Sequence, residues 1–297
     1  MNSTVVILIL NWNNFADTYK CIRSILDLDY RNRTIVIIDN GSTDGSLKQL
    51  QEAFAHTGVV FLNSGSNLGY AGGMNVGINY ALRKIPFDFI WLLNNDIEVK
   101  HDSLDILLAA LKENPDIDIA GPTLLLSGTD RIMEQYYTLN LWRGRYLIHT
   151  HLNRNHIARI SSRNNTYIGG AAVFMRCRAL DNLGLIPEEY FLYNEDVAWQ
   201  SSYKGDHDFL YVGPAIVWHK RSASSGGVKT VMPDYYDSRN FLYFMRKEFP
   251  LWLPYEFIVS IINKVLPKVV RREWKRLQYV LYGFRDFFRG KTGKFEP

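Results

Sequence analysis

Residues 5–45 read VVILILNWNNFADTYKCIRSILDLDYRNRTIVIIDNGSTDG, in which two apolar runs stand on either side of an amphipathic stretch. The runs at residues 5–10 and 34–38 are almost entirely apolar, which is typical of strands buried on both faces. Between them, apolar side chains in residues 17–28 recur at helical spacing. The order strand, helix, strand is the repeating unit of a parallel sheet.

The same alternation continues to residue 96. It predicts a helix at 46–55, a strand at 59–62, a helix at about 72–83 and a strand at 89–93. Such a pattern favours a parallel sheet with helices on both faces, which binds ligands beyond the carboxyl ends of its strands. Asp39, the Gly-rich loop 63–73 and Asp96 all follow strand ends, so we expect them at one edge of the sheet.

The second half of the chain has a weaker pattern. Residues 127–166 are polar with little periodicity, and we interpret them as an excursion or flap. Further on, strand-like and helical patterns alternate less regularly. They predict strands at 167–177 and 209–218, and helices at 234–247 and 255–288, the last broken by Pro267.

Composition indicates a globular protein, because 47% of the 297 residues are hydrophobic and 22% are charged. Two cysteines, Cys21 and Cys177, provide neither a disulfide framework nor a zinc quartet. Both lie in apolar surroundings and are interpreted as buried free thiols, which favours a reducing compartment. The apolar run near the N-terminus is too short for a signal peptide. We therefore expect a cytoplasmic protein.

Charge is distributed unevenly along the chain. Residues 264–294 carry ten Lys and Arg against two acidic residues, a local charge of +8 that leaves −4 for the rest of the chain, whose total is +4. Aromatic residues alternate with these bases across 249–294. This pattern predicts helices at an anionic membrane surface, too short in apolar length to cross it. The alternative is that they pack on the main domain and expose an ordinary basic face. We expect no nucleic acid partner, because no recognised module accompanies the basic stretch.

Four polar features lie in predicted loops: Asp39, Asp96, the pair Glu195 and Asp196, and His219. Each alone has a structural interpretation, such as a turn, a helix cap or a satisfied histidine. Together they suit transfer from a nucleotide diphosphate. Asp96 and His219 could hold a divalent cation that stabilises the leaving diphosphate. The acidic pair offers a base for an attacking hydroxyl, and Asp39 could accept the N–H of a pyrimidine.

Eight segments in order along the chain carry the most specific signal. They are VVILILNWN (5–13), IIDNGSTD (37–44), NLGYAGGMNVG (67–77), WLLNND (91–96), GGAAVFMR (169–176), FLYNED (191–196), WH (218–219) with the Ser-rich loop after it, and SRN (238–240). Together they resemble glycosyltransferase family 2, the inverting enzymes of the GT-A (nucleotide-diphospho-sugar transferase) fold, and in particular its rhamnosyltransferase-like branch.

The resemblance implies an α/β fold, a mostly parallel sheet flanked by helices, with a helical basic C-terminal extension. The implied organisation is a catalytic domain over 1–248, with a nucleotide-binding half at about 1–120 and an acceptor half at about 121–248, followed by the extension 249–297.

The resemblance also implies roles for single residues. Asp196 is the implied catalytic base, with Glu195 supporting it, and Asp96 and His219 are the implied ligands of Mg²⁺ or Mn²⁺. Asn94 stands where the family carries the first carboxylate of its metal motif. The start of the helix after the Gly-rich loop offers N–H groups that favour phosphate. The implied donor-binding residues are Asn11, Asn13, Asp39, Asn67, Gly69, Asn75, Asn95 and Arg239.

The expected activity is inverting transfer of one sugar, with rhamnose favoured, from a dTDP- or UDP-sugar to a hydroxyl of a glycan or lipid-linked glycan. The expected setting is cell-surface polysaccharide biosynthesis at the inner face of the cell membrane. One alternative is a nucleotidyltransferase, but the loop 11–14 lacks the usual Gly-rich, basic phosphate motif. Another is an inactive sugar-nucleotide-binding protein. The presence of Asp96 and His219 together with the acidic pair argues against this alternative.

Overall fold

The computed structural model describes residues 3–203, 207–220 and 231–296. The Ser-rich loop that follows His219 lies outside these residues. The strands are β1 (Val5–Asn11), β2 (Arg33–Asp39), β3 (Val60–Asn63), β4 (Phe89–Asn94), β5 (Ile97–Val99), β6 (Ile119–Leu126), β7 (Ile132–Glu134), β8 (Tyr136–Asn140), β9 (Arg145–His149), β10 (Ile157–Ser161), β11 (Thr166–Tyr167), β12 (Ala172–Arg176) and β13 (Asp208–His219). The α-helices are α1 (Phe15–Leu26), α2 (Ser46–Ala53), α3 (Gly69–Lys84), α4 (Ser103–Glu113), α5 (Ala179–Leu183), α6 (Glu195–Ser201), α7 (Met232–Glu248), α8 (Leu253–Ser260), α9 (Leu266–Val270) and α10 (Trp274–Phe288).

One large sheet forms the centre of the molecule, in the order β10-β13-β6-β12-β4-β1-β2-β3. Strands β3, β2, β1 and β4 are parallel neighbours, and β13 is parallel to β6. Strand β12 runs antiparallel between β4 and β6, and β5 and β7 add short antiparallel pairs at the side. The predicted α/β fold with a mostly parallel sheet is confirmed.

Both faces of the central sheet are buried, which explains the apolar run in β1. Val5, Ile7 and Ile9 point into a core that includes residues of α1 and α4. Val6 and Leu8 point to the opposite face, into a core with residues of α3 and α5. Because neither face meets water, neither needs polar side chains, and the sequence shows no alternation there.

The prediction for residues 127–166 was incomplete, because this stretch contains most of strands β7 to β11. Strands β8, β9 and β11 form a separate three-stranded sheet. Many of their side chains are half-buried Tyr, His and Thr. Amphipathic residues of this kind do not separate into an apolar and a polar face, so the sequence shows no period of two.

The C-terminal helices pack back onto the molecule through α10 and α7. Phe241 and Phe244 of α7 share a buried cluster with Val280, Phe284 and Phe287 of α10. This agrees with the alternative interpretation of the basic segment in so far as its helices pack on the main domain. The division into domains at residue 248 stays a prediction.

The predicted break at Pro267 was wrong. Pro267 lies in the first turn of α9, where its missing N–H costs no hydrogen bond. The chain turns instead at Arg272, whose φ is +56°. A π-helical turn, Ile261–Val265, joins α8 to α9. Across the described part of the chain, every helix is too short or too polar to cross a membrane.

The cysteine prediction was half correct. Cys21 is buried, whereas Cys177 is partly exposed, and both are free thiols.

Candidate active site

Parallel strands β1, β2, β3 and β4 end at the same level of the sheet, on polar residues. In their register, Asn11 pairs with Asp39, Asp39 pairs with Asn63, and the residue before Asn11 pairs with Asn94. The carboxyl ends of parallel strands form the ligand-binding crevice of such sheets. Asp39 and the turn that contains Asp96 therefore lie along one edge.

Asp39 is buried at this edge with both carboxylate oxygens engaged. Its Oδ1 accepts from Asn11 Nδ2 at 2.8 Å, and its Oδ2 accepts from the Ser42 N–H at 2.9 Å. These two donors fix the orientation of the carboxylate. Asn11 has no exposed surface, so it supports Asp39 and does not itself face a ligand.

A chain of side-chain hydrogen bonds links Asp39 to the turn after β4. Asn95 Nδ2 donates to the Thr18 hydroxyl at 2.9 Å, and Thr18 donates to Asn11 Oδ1 at 2.7 Å. Asn95 and Thr18 are buried. Asn95 therefore lies behind the edge, where it couples two parts of the site. Thr18 was not predicted from the sequence, because nothing distinguishes a threonine that bonds to other side chains of the site from any other threonine on an amphipathic helix.

Asn13 joins the loops that follow β1 and β2. It is exposed and has a left-handed backbone with φ of +48°. Its Oδ1 accepts from the Thr43 N–H at 2.7 Å, and its own N–H donates to the Ser42 hydroxyl at 2.9 Å. Asn13 thus helps to shape the loop beside Asp39.

Asn40 connects the end of β2 to the start of α3, and the sequence analysis assigned it no role. Its Nδ2 donates to the Gly69 carbonyl at 2.9 Å and lies 3.3 Å from Asn67 Oδ1. Asn67 in turn accepts from the Gly69 N–H at 2.9 Å. Its position directly after Asp39, within the segment 37–44, could have indicated this role.

The start of α3 is occupied by protein contacts. The Tyr70 N–H donates to the Phe191 carbonyl at 2.8 Å, and the Gly69 N–H is taken by Asn67. These two groups therefore do not present themselves to a phosphate, which differs from the expectation. Gly69 has φ of +76°, and a Cβ there would lie 2.3 Å from the Phe191 carbonyl oxygen, so only glycine fits.

Asn75 also lies away from the expected donor pocket. It is buried on α3, where its Nδ2 donates to the Ile186 carbonyl and to Glu188 Oε1, both at 2.8 Å. Its Oδ1 accepts from the Ile186 N–H at 2.9 Å. All hydrogen-bonding groups of this amide except one lone pair are used. Asn75 therefore anchors the segment 186–188 to α3.

Asp96 and His219 meet through strand pairing. Strand β5 follows Asp96 directly and pairs with the end of β13, where Ile97 opposes His219. Asp96 Oδ1 lies 3.2 Å from His219 Nε2, and the Asp96 side chain is almost fully buried. Two residues that are 123 positions apart in the sequence thus face each other at the edge of the sheet.

This pair fits two ligands of one divalent cation. Neighbouring positions around an octahedral cation with bonds of about 2.1 Å lie about 3 Å apart, close to the separation of the two atoms. In the parts of the chain that are described, no group of three or more His, Cys, Asp or Glu side chains could hold a metal by itself. Mg²⁺ commonly takes one or two protein ligands and completes its shell with phosphate oxygens.

A cleft of about 270 Å³ opens beside Asp96. Lys220, which follows His219, pairs there with Asp17 at 2.9 Å. Lys20 also lines the cleft. Asp17, Asp96 and Glu98 line the same cleft, so its three carboxylates outnumber its two ammonium groups and favour a cation.

Asp196 lies next to this edge because of its contact with Gly170. Asp196 Oδ2 accepts from the Gly170 N–H at 3.0 Å, and the carbonyl of the next residue, Ala171, accepts from the Asn94 N–H at 2.9 Å. These two contacts place Asp196 beside the turn that contains Asp96. A Cβ at position 170 would lie 2.7 Å from Asp196 Cβ and Oδ2, so a glycine is needed there.

The two adjacent carboxyl groups differ in acidity. Burial raises the pKa of Glu195 to about 8, and the charge of Asp196 adds to this shift. Burial also raises the pKa of Asp196, but the N–H groups of Val197 and Gly170 oppose the shift. Glu195 therefore keeps its proton near neutral pH, whereas the backbone donors around Asp196 favour its ionised form. Tyr70 lies close by and donates to the Gly170 carbonyl at 3.1 Å.

The loop 190–194, which leads into Glu195, has a strained backbone. Phe191, Tyr193 and Asn194 have φ between +62° and +67°. For residues other than glycine such conformations cost about 1 kcal/mol or more each and persist only when the surroundings enforce them. Asn240 Nδ2 provides that support, since it lies within 2.9 Å of three carbonyl oxygens of this loop.

Arg239 is fully buried beside this loop. Its Nη2 donates to the Tyr190 carbonyl at 3.2 Å and its Nη1 to the Gly293 carbonyl at 2.8 Å. The guanidinium also lies over the rings of Tyr235 and Tyr236. This position differs from the expected contact with a diphosphate: Arg239 joins α7 to the loop 190–194 and to the C-terminal segment.

The fold is that of the GT-A glycosyltransferases. Similar solved structures include S. aureus TarS 1–349 in complex with UDP-GlcNAc, at 13% identity and a TM-score of 0.61, covering 96% of this chain and 80% of that one. The mannosyltransferase PcManGT from Pyrobaculum calidifontis, in complex with GDP-Man and Mn²⁺, also matches at 13% identity and a TM-score of 0.59, covering 97% and 88%. At these identities the likeness shows the shared fold.

The family follows from the sequence. The family model for glycosyl transferase family 2 matches residues 5–184, and the chain belongs to this family. An N-acetylglucosaminyl-diphospho-decaprenol L-rhamnosyltransferase of Mycobacterium tuberculosis is 25% identical over 218 residues, 65% of this chain and 68% of that protein. A low-salt glycan biosynthesis hexosyltransferase of Haloferax volcanii is 22% identical over 183 residues, 61% of this chain and 56% of that protein. The resemblance to the rhamnosyltransferase-like branch is confirmed.

Proposed function

We propose that the chain is an inverting glycosyltransferase that moves one sugar, with rhamnose favoured, to a hydroxyl of a glycan or lipid-linked glycan in cell-surface polysaccharide biosynthesis. The observation that carries the proposal is the gathering of Asp39, the Asp96–His219 pair and Asp196 along one edge of the sheet. The name of the M. tuberculosis relative supports rhamnose and a lipid-linked acceptor.

The donor is a dTDP- or UDP-sugar. Its pyrimidine N–H meets the Asp39 carboxylate, whose oxygens each keep a second lone pair beside the bonds already described. The diphosphate then extends along the edge towards Asp96, where a divalent cation would offset its charge. Asn13 and Asn67 belong to the loops that enclose the base.

Asp96 and His219 would hold a Mg²⁺ or Mn²⁺ ion in the proposed transferase. When bound, the cation would neutralise the charge that develops on the leaving diphosphate. Asn94 stands where the family carries a carboxylate, and its neutral amide oxygen would attract the cation less than a carboxylate does. The PcManGT complex with Mn²⁺ supports metal use by proteins of this fold.

Asp196 acts as the base. Its ionised carboxylate takes the proton from the acceptor hydroxyl as the hydroxyl oxygen forms a bond to the anomeric carbon. The bond from that carbon to the diphosphate breaks, and its electron pair leaves with the diphosphate oxygen. Attack and departure on opposite faces invert the anomeric centre. Glu195 remains protonated and neutral, so it adds no second negative charge next to Asp196.

The test is a turnover assay with a panel of sugar nucleotides, Mg²⁺ or Mn²⁺, and a chelator control. One donor should be consumed faster than the others, with dTDP-rhamnose the leading candidate, and the chelator should stop the reaction. Asp196→Asn should lower kcat by about a thousandfold or more while the Kd for the donor stays within about twofold. The matched control is Asp130→Asn, whose side chain is 90% exposed, and it should keep the parent rate.

Two results would refute the proposal. Full transfer by Asp196→Asn would show that the base is wrong. Release of pyrophosphate from a nucleoside triphosphate and a sugar phosphate, without use of any sugar nucleotide, would instead identify a nucleotidyltransferase.

The proposal also concerns location. We place the transferase in the cytoplasm, at the inner face of the cell membrane, because this location would suit the lipid-linked acceptor proposed above. The basic charge of the extension supports this location.

A further inference from the structure

The helical stretch 253–270, formed by α8, the π-helical turn and α9, has apolar side chains on its outer side as well as towards the core. Glu256 and Ser260 are fully buried on its inner side. Its outer side, together with the residue that precedes it, carries an apolar row with large exposed fractions: Leu251 94%, Tyr255 39%, Ile258 58%, Ile262 54%, Leu266 53% and Val270 74%.

The apolar row is continuous. Its members are three or four positions apart, which puts them on one side of a helix. Scattered apolar side chains on a protein surface are ordinary, but a contiguous row of this length marks a surface that another apolar phase covers. A surface helix of a globular protein ordinarily has polar side chains on its outer side, whereas this helical stretch is apolar both towards the core and on the outside.

The charges around the apolar row identify what covers it. Four of the ten basic residues of the extension are neutralised by Asp234, Asp237 or Asp286: Lys264, Lys268, Arg276 and Arg285. The other six are exposed and form no ion pair with the described residues: Arg271, Arg272, Lys275, Arg289, Lys291 and Lys294.

Three of these six unpaired basic residues lie at the C-terminal end of the apolar row. Arg271 and Arg272 follow Val270 directly, and Lys275 is next to Trp274, which is 60% exposed. An apolar row that ends in free basic side chains and an exposed tryptophan is complementary to an anionic bilayer surface. Acyl chains receive the aliphatic side chains, headgroups receive the bases, and tryptophan suits the boundary.

We propose that the apolar row and the free bases around Trp274 dock the protein onto an anionic lipid bilayer, with the helical stretch lying in the plane of the interface. A second copy of the chain fits less well, because the same surface of that copy offers apolar and basic side chains and, among the described residues, no free carboxylate to the unpaired basic residues.

The docking surface is joined to the active site through α7. Helix α10 packs on α7, and α7 carries Asn240, which supports the loop that leads into Asp196. Docking therefore holds the acceptor side of the site at a fixed position relative to the bilayer. This last step rests on the proposed function; the docking itself does not.

The test is flotation of the full chain with vesicles of phosphatidylcholine alone or with phosphatidylglycerol added. The parent should float with the anionic vesicles and only weakly with neutral ones. One variant, Ile258→Ser/Ile262→Ser/Leu266→Ser, removes half of the apolar row, and a second, Arg271→Gln/Arg272→Gln/Lys275→Gln, removes three free bases. Each should lower the bound fraction about tenfold or more, with an unchanged melting temperature because all six side chains are exposed.

The matched control is Leu82→Ser/Ile157→Ser/Leu185→Ser, three aliphatic residues elsewhere with exposed fractions of 43–49%, which should float like the parent. Absence of flotation by the parent, or equal flotation of the parent and both variants, would overturn the proposal. A parent that is dimeric by light scattering, with the triple Ser variant monomeric, would also overturn it.

Transfer to a water-soluble acceptor distinguishes this proposal from the proposed function. Both docking variants should keep the parent rate in that assay. If the parent floats but transfers no sugar, docking stands and the function fails; if it transfers but does not float, the reverse holds.

Discussion

At the residue scale, the acidic pair shows how two adjacent carboxyl groups acquire different properties. Asp196 faces the Gly170 N–H, whereas the Oε2 atom of Glu195 is buried without a hydrogen-bond donor among the described residues. Backbone donors favour the ionised form, and burial without them favours the protonated form. The difference therefore comes from the backbone around the pair and not from the residue types.

Glu195→Gln tests this difference through its pH dependence. Because the pKa of Glu195 is raised to about 8, the parent gains a second negative charge next to Asp196 above that pH. This charge should weaken donor binding, so kcat/KM of the parent should fall above about pH 8 while that of the Gln variant stays level. Kinetic profiles between pH 6 and 9.5 measure this.

The unfolding free energy of the parent should also fall as pH rises and Glu195 ionises. Burial raises the pKa of Glu195 in the folded state above its usual value in the unfolded chain. Its contribution is therefore complete below about pH 4.5 and is lost as pH rises through about 8. Relative to the parent, Glu195→Gln should gain on the order of 2 kcal/mol in unfolding free energy between pH 6 and 9. Parallel profiles of the two proteins in both measurements would contradict the assignment.

Single residues were predictable where they end a strand. The sequence placed Asp39 and Asp96 at one edge because buried strands are easy to recognise and their carboxyl ends coincide. Arg239 and Asn75 could not be placed in the same way. Their polar groups are able to bind a ligand or the backbone, and only tertiary packing determines which.

At the element scale, the contact between β12 and α6 positions the base. The segment before β12 contains Gly170, and α6 contains Asp196; the backbone of one touches the side chain of the other. No space remains for a Cβ at position 170. A glycine pair before an apolar strand was visible in the sequence, but the contact with α6 was not, because Gly170 and Asp196 are 26 positions apart.

Gly170→Ala should displace the Asp196 carboxylate and lower kcat about ten- to a hundredfold, with a donor Kd close to that of the parent. The comparison variant is Gly58→Ala. Gly58 has φ of +75° and open space around it, so alanine there should lower stability by about 1 kcal/mol and leave kcat unchanged. An unchanged kcat for Gly170→Ala would show that this contact does not position the base.

The loop 190–194 is the second element that positions the base, and Asn240 is its support. Asn240→Asp would replace the amide donors with a carboxylate that faces three carbonyl oxygens. Loss of these bonds should reduce the unfolding free energy by about 3 kcal/mol and lower kcat at least tenfold. Chemical unfolding and turnover measure the two effects. Asn155→Asp, at an exposed position, should alter neither, and a similar result for both variants would contradict the role of Asn240.

Elements with amphipathic side chains were the hardest to predict. Strands β8 and β9 were not recognised, since their half-buried Tyr and His residues suit either side of a small sheet. Pro267 was read as a break because it interrupts most helices. In this chain it begins a helix, a distinction that depends on where the preceding helix ends.

At the scale of the whole molecule, the parallel sheet was predictable from residues 5–96 alone. Strands β1 and β4 and most of β2 are buried on both faces, β3 at the sheet edge is only partly buried, and each is followed by a turn or a helix. The C-terminal helices were predictable in charge but not in orientation. Composition revealed ten basic residues, whereas only the structure shows which are neutralised and which side of the helical stretch 253–270 faces outwards.

We expect the catalytic base Asp196, the metal ligands and the nucleotide-binding residues to contact one sugar nucleotide along the carboxyl edge of the sheet. The most direct test is a crystal structure of the chain with a sugar nucleotide or nucleoside diphosphate and Mn²⁺, with the metal located by anomalous scattering. We predict one Mn²⁺ about 2.0–2.3 Å from Asp96 and His219. The pyrimidine ring should lie against Asp39, and Asp196 should face the space next to the β-phosphate. A metal bound elsewhere, or a diphosphate that lies far from Asp196, would contradict it.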